Sequence, residues 1–175
     1  MWPNIWRDDM DQITIETGMQ DISSGTCVQF VPHSHEANFL DVEPRNSCWS
    51  FLGQPGGSQT ISSQGPGCMW SGVAVHEFMH TLGFVHERSR SDRDRYVTIV
   101  WDNIMQEHIH NFRKHATSNL NSPYDYDSVM HYGSLIQALP SLKLPKPDPY
   151  ISSGQRDGPS DLDLHKINVL HNCGR

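Results

Sequence analysis

The stretch HEFMHTLGFVHE, residues 76–87, places three histidines and two glutamates in twelve positions. Residues four apart on a helix share one face, about 6 Å apart along the axis, so His76 and His80 can direct their imidazoles at one metal ion. A continued helix would carry His86 about 9 Å further along the axis, away from that ion. Gly83 stands where the helix has to end, because glycine adopts the left-handed conformation without steric cost. The spacing therefore predicts a metal site made by three histidines, with Gly83 as its turn.

Glu77 follows the first of these histidines and indicates what the metal does. Three imidazoles leave one coordination position open, which is typical of a catalytic zinc ion, whereas a structural zinc takes a fourth protein ligand. Cobalt or copper would also bind such a site, but iron oxygenases use a carboxylate as a ligand. Zinc lowers the pKa of its bound water, and Glu77 is placed to take the proton as that water attacks a carbonyl. The pattern favours peptide-bond hydrolysis over the alternative, a core helix with hydrogen-bonded histidines.

Composition limits the class of protein. A chain of 175 residues has the length of one domain, so we expect a single domain over residues 1–175 and a monomer. The net charge is -7, with 13 Lys and Arg spread along the sequence, which argues against a nucleic-acid partner. No stretch approaches the roughly 20 apolar residues of a membrane span, so we expect no membrane insertion. The first residues lack the apolar core of a signal peptide, but a mature secreted form would look the same.

The four cysteines are Cys27, Cys48, Cys68 and Cys173, and none is in CxxC spacing. A zinc-thiolate site or a redox pair is therefore disfavoured. Two disulfides are the preferred interpretation, and four free thiols in a cytosolic protein are the alternative. The cysteines by themselves permit three pairings.

The N-terminal half predicts a mixture of helix and strand. A helix is expected from Asp8 to Ser24, with an apolar face formed by Met10, Ile13, Met19 and Ile22. Short β-rich runs separated by turn residues predict four strands, at 27–31, 37–42, 47–53 and 58–63. The turn residues QPGGSQ predict that the last two strands form a hairpin.

The remaining elements are a buried helix, a long loop region and a closing helix. Residues 71–82 are apolar on nearly every side, which predicts a buried helix. The run 134–160 is rich in Pro, Ser and Gly and predicts loops. A C-terminal helix is expected after Ser160, an N-cap residue with Asp163 three positions later.

Further motifs resemble one family. HExxHxxGxxH is the metzincin signature, and Glu87 after its last histidine narrows the resemblance to the astacin family of secreted metallopeptidases. The segment SVMHY, residues 128–132, is similar to the methionine turn of that family. CVQFVP, CWSFLG, RSDRDRYVTI and GQRDGPSDLDLHKIN also resemble astacins, most of all hatching enzymes and egg astacins. The resemblance covers nearly the whole chain.

The resemblance implies roles at individual positions. His76, His80 and His86 would bind one catalytic zinc ion, with Glu77 as the general base. Met130 would form an apolar floor below the metal. Tyr132 would be an extra zinc ligand that leaves when substrate arrives and donates a hydrogen bond to the oxyanion.

It also implies the disulfides and the substrate site. Cys27 would pair with Cys173 and Cys48 with Cys68, which implies an extracellular or secretory compartment. Trp49 and Ser50 would lie on the strand along which an extended peptide binds. Arg156 would lie near the S1' pocket and favour Asp or Glu after the cleaved bond.

Some positions depart from the family pattern. Few residues precede Cys27, so we expect the N-terminal partner that Glu87 has in mature astacins to be missing, and Glu87 to pair with Arg88 or Arg90 instead. Phe51 stands where relatives often have tyrosine, and the segment 134–150 is unlike the usual loop after the methionine turn. Astacins are made as zymogens, and we expect no propeptide within these 175 residues.

The expected fold is α+β, an astacin-like catalytic domain with a twisted N-terminal sheet, two helices and a loop-rich C-terminal subdomain that ends in a helix. The boundary between the two subdomains is expected near residues 83–84, with the active-site cleft between them. The expected function is that of a secreted zinc endopeptidase acting on proteins of an egg coat or extracellular matrix. One alternative is a binding module on the same fold, although it would be expected to lack Glu77. The other is a cytosolic metal buffer using the 11 histidines.

Overall fold

The computed structural model describes residues 9–133, 135–136, 139–140, 142–143 and 153–174. The chain folds as two compact units, Met1–Phe84 with Arg156–Arg175 as one and Val85–Gln155 as the other. The first segment of the first unit thus ends where the sequence predicts a subdomain boundary. The sequence predicts that the second subdomain continues to the last residue, whereas the contacts of 156–175 group this segment with the first unit. That the whole chain is one domain stays a prediction.

Two helices pack against each other in the first unit. Helix α1 spans Asp9–Gly25 and helix α2 spans Ser71–Thr81. Their closest approach is at Gly18, where a Cβ atom would lie 2.8 Å from the Cβ of Ala74. From Gly72 to Met79, every residue of α2 except Val73 is buried, which confirms the prediction of a buried helix.

The apolar face of α1 differs from the predicted one. Met10 and Ile13 were expected to face the core, but they are 66% and 53% exposed. Ile22 is buried as predicted, and Ile15, which was not assigned to this face, is buried as well. The glycine contact with α2 sets this rotation, because Ile15, Gly18 and Ile22 follow one another at helical spacing on the same face.

The first unit contains a three-stranded sheet in the order β1-β3-β2. The strands are Phe39–Glu43 (β1), Trp49–Ser50 (β2) and Ser58–Ser62 (β3). The pairing of β1 with β3 is parallel, and that of β2 with β3 is antiparallel, which confirms the predicted hairpin. The strand predicted at 27–31 is wrong. There the amide of Val28 bonds to the Thr26 hydroxyl and the ring of Phe30 packs on Phe78, so side-chain contacts replace strand pairing.

The second unit is built from 3-10 turns and very short strands. The turns are Glu87–Ser89, Arg93–Arg95, Trp101–Asn103 and Gln106–Phe112. Strand β4 (Thr98–Ile99) pairs with β7 (Leu142–Lys143), and β5 (Leu135–Ile136) pairs with β6 (Leu139–Pro140). Its core consists of Val97, Ile99, Ile104, Phe112 and Tyr124. The prediction of loops over 134–160 is therefore wrong at β5, β6 and β7, and the rest of residues 134–152 lies outside the described residues.

The C-terminal helix α3 spans Asp161–Leu170 and begins with the predicted N-cap. Ser160 accepts from the Asp163 amide and the Asp163 carboxylate accepts from the Ser160 amide, so both bonds of a capping box are present. Asn168 donates to the carbonyl of Gly25, which ties α3 to the end of α1.

Two disulfides hold the first unit together. Cys27 is joined to Cys173 and Cys48 to Cys68, the two pairs that the resemblance implies. The first bridge connects positions 146 residues apart, which explains why the last residues belong with the N-terminal half. Among the described residues, no helix is both long enough and apolar enough to span a membrane.

Candidate metal and catalytic site

The turn at Gly83 ends α2 as the sequence predicted. Gly83 has φ of 97°, in the left-handed region. Its amide donates to the carbonyl of His80 at 2.9 Å, and the amide of Phe84 donates to the carbonyl of Met79 at 3.0 Å. These two bonds form a Schellman motif, which satisfies the last carbonyls of the helix while reversing the chain. The reversal directs His86 back towards the helix.

The three histidines converge on one point. The ligand nitrogens of His76, His80 and His86 all lie within 4.8 Å of one another, a separation that one metal ion can bridge. The Nδ1 atom of His80 is 2.8 Å from the carbonyl oxygen of Phe84. A carbonyl can only accept, so Nδ1 carries the hydrogen and the lone pair lies on Nε2, the arrangement of a metal-binding imidazole. The donor set and this second contact both fit zinc.

Glu77 is buried and contacts one hydroxyl group. The Oγ of Ser50 lies 2.9 Å from Oε2 of Glu77 and 2.8 Å from its main-chain carbonyl oxygen. Burial raises the pKa of Glu77 to about 7, although the Ser50 hydrogen bond and the charge of Arg156 both favour the ionised carboxylate. The resemblance implies that Ser50 lies on the strand along which the substrate binds, and its side chain is directed at the candidate base.

The charge of Arg156 reaches Glu77 because of a glycine in α2. A Cβ atom at Gly72 would lie 2.1 Å from the carbonyl oxygen of Arg156. Any larger residue would therefore push the 156 segment away from the helix. The sequence gives no signal for this glycine, since a single glycine in an apolar helix predicts only weaker helix formation.

Strand β2 lies at the edge of its sheet. It pairs with β3 on one side, and the sheet order gives it no partner on the other among the described residues. Its two residues, Trp49 and Ser50, are both half-buried. An edge strand offers main-chain donors and acceptors to an extended peptide.

In the second unit, Glu87 forms a buried ion pair. Its Oε1 accepts from Arg90 at 2.9 Å and from the amide of Asp125 at 2.8 Å. The sequence left open whether Arg88 or Arg90 would pair with Glu87, and Arg90 does so. The amide of Glu87 donates to the carbonyl of Met130 at 3.0 Å, and the Met130 side chain is buried.

Tyr132 contacts two side chains of the 86–88 segment. Its ring centroid is 4.8 Å from that of His86. The guanidinium carbon of Arg88 is 3.1 Å from the same centroid. The Nδ1 of the neighbouring His131 lies 2.6 Å from the carbonyl oxygen of Tyr132. The tyrosine is thus contacted on its ring and on its main chain.

Sequence reasoning missed the contact of Arg88 with Tyr132, because the sequence analysis considers Arg88 only as a partner of Glu87. Consecutive side chains in a 3-10 turn diverge by about a third of a rotation, so Glu87 and Arg88 face different neighbours. The aromatic partners of Arg88 come from residues 112 and 132, and no spacing rule connects these positions to 88.

The three histidines and the adjacent glutamate form a candidate metal site, and comparison with known proteins defines the family. Residues 6–172 match the model of the peptidase family described as Astacin. The chain therefore belongs to the astacin family, which confirms the resemblance read from the sequence.

The relatives of this chain include fish and bird proteins. High choriolytic enzyme 1 of Oryzias latipes is 47% identical over 164 residues, covering 91% of this chain and 60% of the relative. Astacin-like metalloendopeptidase of Gallus gallus is 46% identical over 165 residues, covering 92% of this chain and 40% of the relative. The chain thus spans 60% or less of the length of these two curated relatives.

Solved structures support the same fold. The structure of High choriolytic enzyme 1, a hatching enzyme zinc-protease from Oryzias latipes, matches with a TM-score of 0.89 and 44% identity. The match covers 95% of this chain and 84% of that one, and it confirms the predicted α+β astacin-like fold. Myroilysin, at 18% identity and a TM-score of 0.66, shares the fold.

Proposed function

We propose that this chain is the catalytic domain of a secreted zinc endopeptidase that cleaves protein substrates. The observation that carries the proposal is the convergence of His76, His80 and His86 beside a buried glutamate, Glu77. Three neutral donors and a carboxylate outside the donor set suit a hydrolytic metal centre. The same glutamate argues against a binding module without activity.

The three histidines would hold one zinc ion, and Tyr132 would be an additional ligand. Bound zinc supplies Lewis acidity, which makes water more acidic and polarises a peptide carbonyl. Glu77 would accept a proton at its carboxylate, while Ser50 keeps Oε2 in position through its hydrogen bond. The phenol of Tyr132 would donate a hydrogen bond to the oxyanion that develops on the substrate.

An extended peptide would bind along the edge of β2, with its main chain paired to Trp49 and Ser50. Such binding recognises backbone and leaves sequence preference to side-chain pockets. Arg156 carries a positive charge near Glu77, and that charge would favour Asp or Glu after the cleaved bond. Met130 would be the apolar floor of the metal site.

The names of the relatives suggest the biological setting. Choriolytic and hatching enzymes are named for egg envelopes, so we propose an egg-coat protein as the substrate, with extracellular matrix as the second choice. Two disulfides favour a secretory compartment, and the protein would act as a monomer after removal of a propeptide.

Cleavage of a denatured-protein library, with mass spectrometry of the new termini, tests the proposal. We expect cleavage that stops with 1,10-phenanthroline and returns with added zinc, together with an excess of Asp or Glu after the cut. Zinc-loaded protein that cleaves nothing would contradict the proposed function. Cleavage without the acidic excess would contradict only the role of Arg156.

Glu77→Gln tests the general base. We expect normal zinc content and a fall in kcat of about 10²- to 10⁴-fold, because the amide cannot accept the proton. Glu107→Gln changes an exposed glutamate and is the matched control. A Glu77→Gln protein that cleaves peptides at nearly the wild-type rate would exclude this role.

A further inference from the structure

Arg88 is a buried cation without a conventional partner. Its side chain is fully buried, and none of its three guanidinium nitrogens makes a hydrogen bond of normal geometry to the described residues, although the Tyr132 hydroxyl is near enough to oppose the effect of burial on the pKa of Arg88. A buried charge without hydrogen bonds is costly, so proteins retain one where it has a use. Burial lowers the pKa of Arg88 to about 10, against the opposing effect of the Tyr132 phenol, and the group remains a cation at neutral pH.

The guanidinium lies against two aromatic rings. Its carbon is 3.1 Å from the ring centroid of Tyr132 and 5.0 Å from that of Phe112. The flat guanidinium can stack on an aromatic face, which an ammonium group cannot do. Arg93 donates to the main-chain carbonyl of Arg88 at 2.8 Å and so fixes the segment from which the side chain extends.

Tyr132 also contacts His86, at 4.8 Å between ring centroids. The amide of Glu87 is bonded to the carbonyl of Met130, so the segments that carry His86, Arg88 and Tyr132 are joined by main-chain contact. The ring of Tyr132 is therefore confined by two residues of one short segment, the imidazole and the guanidinium.

We propose that Arg88 is a positioning residue for Tyr132. Its guanidinium stacks on the phenol ring and limits the ring to the orientation in which the hydroxyl serves the metal site and the substrate oxyanion. The inference rests on the role proposed above for Tyr132. Precise orientation of a hydrogen-bond donor is what gives it value in a transition state, so loosening the ring should lower kcat more than it raises KM.

A double-mutant cycle tests this coupling. Arg88→Met keeps an apolar stem of similar length and removes the charged flat group. In the zinc-loaded protein, we expect a fall in kcat of about 10-fold with KM within about twofold, the size of a modest misplacement of one donor. In the Tyr132→Phe background, the same change should have no further effect on kcat. Equal losses in both backgrounds would overturn the proposal, since they would indicate a general structural role.

Ring mobility gives a readout that does not require turnover. The protein has five tyrosines, and labelling with 3-fluorotyrosine gives each a fluorine resonance, with Tyr132 assigned from Tyr132→Phe. A confined ring flips slowly and shows two resonances, which merge at a higher temperature than in Arg88→Met. An unchanged merging temperature would overturn the proposal even if the wild-type protein cleaves no peptide.

The control and the substitute variant complete the design. Arg95→Met removes an exposed arginine from the same region and should change neither kcat nor the fluorine spectrum. Should Arg88→Met fail to fold, Arg88→Lys retains the stem and charge but lacks the flat face. The same double-mutant cycle is then made with Arg88→Lys. Equal losses of kcat with and without the Tyr132 hydroxyl would reject the proposal.

Discussion

Two buried arginines, two positions apart in the sequence, have opposite surroundings. Arg90 belongs to an ion-pair cluster with Glu87 and Asp92, and it also donates to the carbonyls of Ser122 and Pro123. Arg88 belongs to an aromatic cluster with Phe112, Tyr124, His131 and Tyr132. The charge of Arg90 is satisfied by oxygen acceptors, with the Tyr124 ring 5.5 Å from its guanidinium carbon, whereas the charge of Arg88 lies against rings only. The comparison indicates that one arginine stabilises the fold and the other serves a neighbouring group.

The largest expected effect is that of Arg90→Met. It leaves the buried carboxylate of Glu87 without the charge that lies 2.9 Å away, so we expect a loss of about 3–5 kcal/mol in the free energy of unfolding. Urea unfolding of the zinc-loaded protein measures it, with Arg95→Met as the exposed control. In the Glu87→Gln background the loss should be clearly smaller. A loss of equal size there would show that the two groups do not interact.

Arg88→Met should have a much smaller effect on stability. The substitution removes a buried cation that has no hydrogen bonds of normal geometry to the described residues, and the lost ring contact is offset by the lower desolvation cost. We therefore expect the free energy of unfolding to change by no more than about 1 kcal/mol, in the same urea experiment. A loss as large as that of Arg90→Met would remove the distinction between the two clusters.

The smallest effect is a difference in pH dependence. In the aromatic cluster, the Tyr124 hydroxyl lies 2.8 Å from Nε2 of His131, and burial lowers the pKa of His131 below its usual 6.5. The folded state thus prefers the neutral ring, while the unfolded state takes up a proton as pH falls through 6.5. Stability should decline from there down to the folded-state pKa, by at most about 1.4 kcal/mol per pH unit.

The ion-pair cluster should respond at lower pH. Burial opposes ionisation of Asp92, but the bonds from Arg90 outweigh it and lower the pKa of Asp92 below 3.8. Its stabilising contribution is present above the unfolded-state pKa and is lost only as pH falls through the folded one. Urea unfolding therefore measures the free energy of unfolding at several pH values between about 7 and 5. This free energy should change less with pH in His131→Asn than in wild type, whereas in Asp92→Asn its dependence on pH should equal that of wild type. The reverse pattern would contradict both assignments.

Much of the first unit could be predicted because its determinants are local. Helix α2 and its turn follow from an apolar run and a glycine, and the capping box of α3 follows from Ser160 and Asp163. The rotation of α1 could not be predicted, because Met10 and Ile13 are apolar while Gly18 sets the packing face. The false strand at 27–31 has β-rich residues but lacks a neighbouring strand to pair with among the described residues.

The sequence by itself determined the three histidines of the candidate metal site, the adjacent glutamate and the helix end at Gly83. These residues lie within one short segment, 76–86, where helix geometry and one left-handed residue fix their relative placement. Only the tertiary structure decided that Arg88 rather than another residue contacts Tyr132, that Ser50 bonds to Glu77, and that Gly72 admits the backbone of Arg156. Those contacts join residues at least 27 positions apart. Packing of distant segments brings these residues together, and no local spacing encodes that packing.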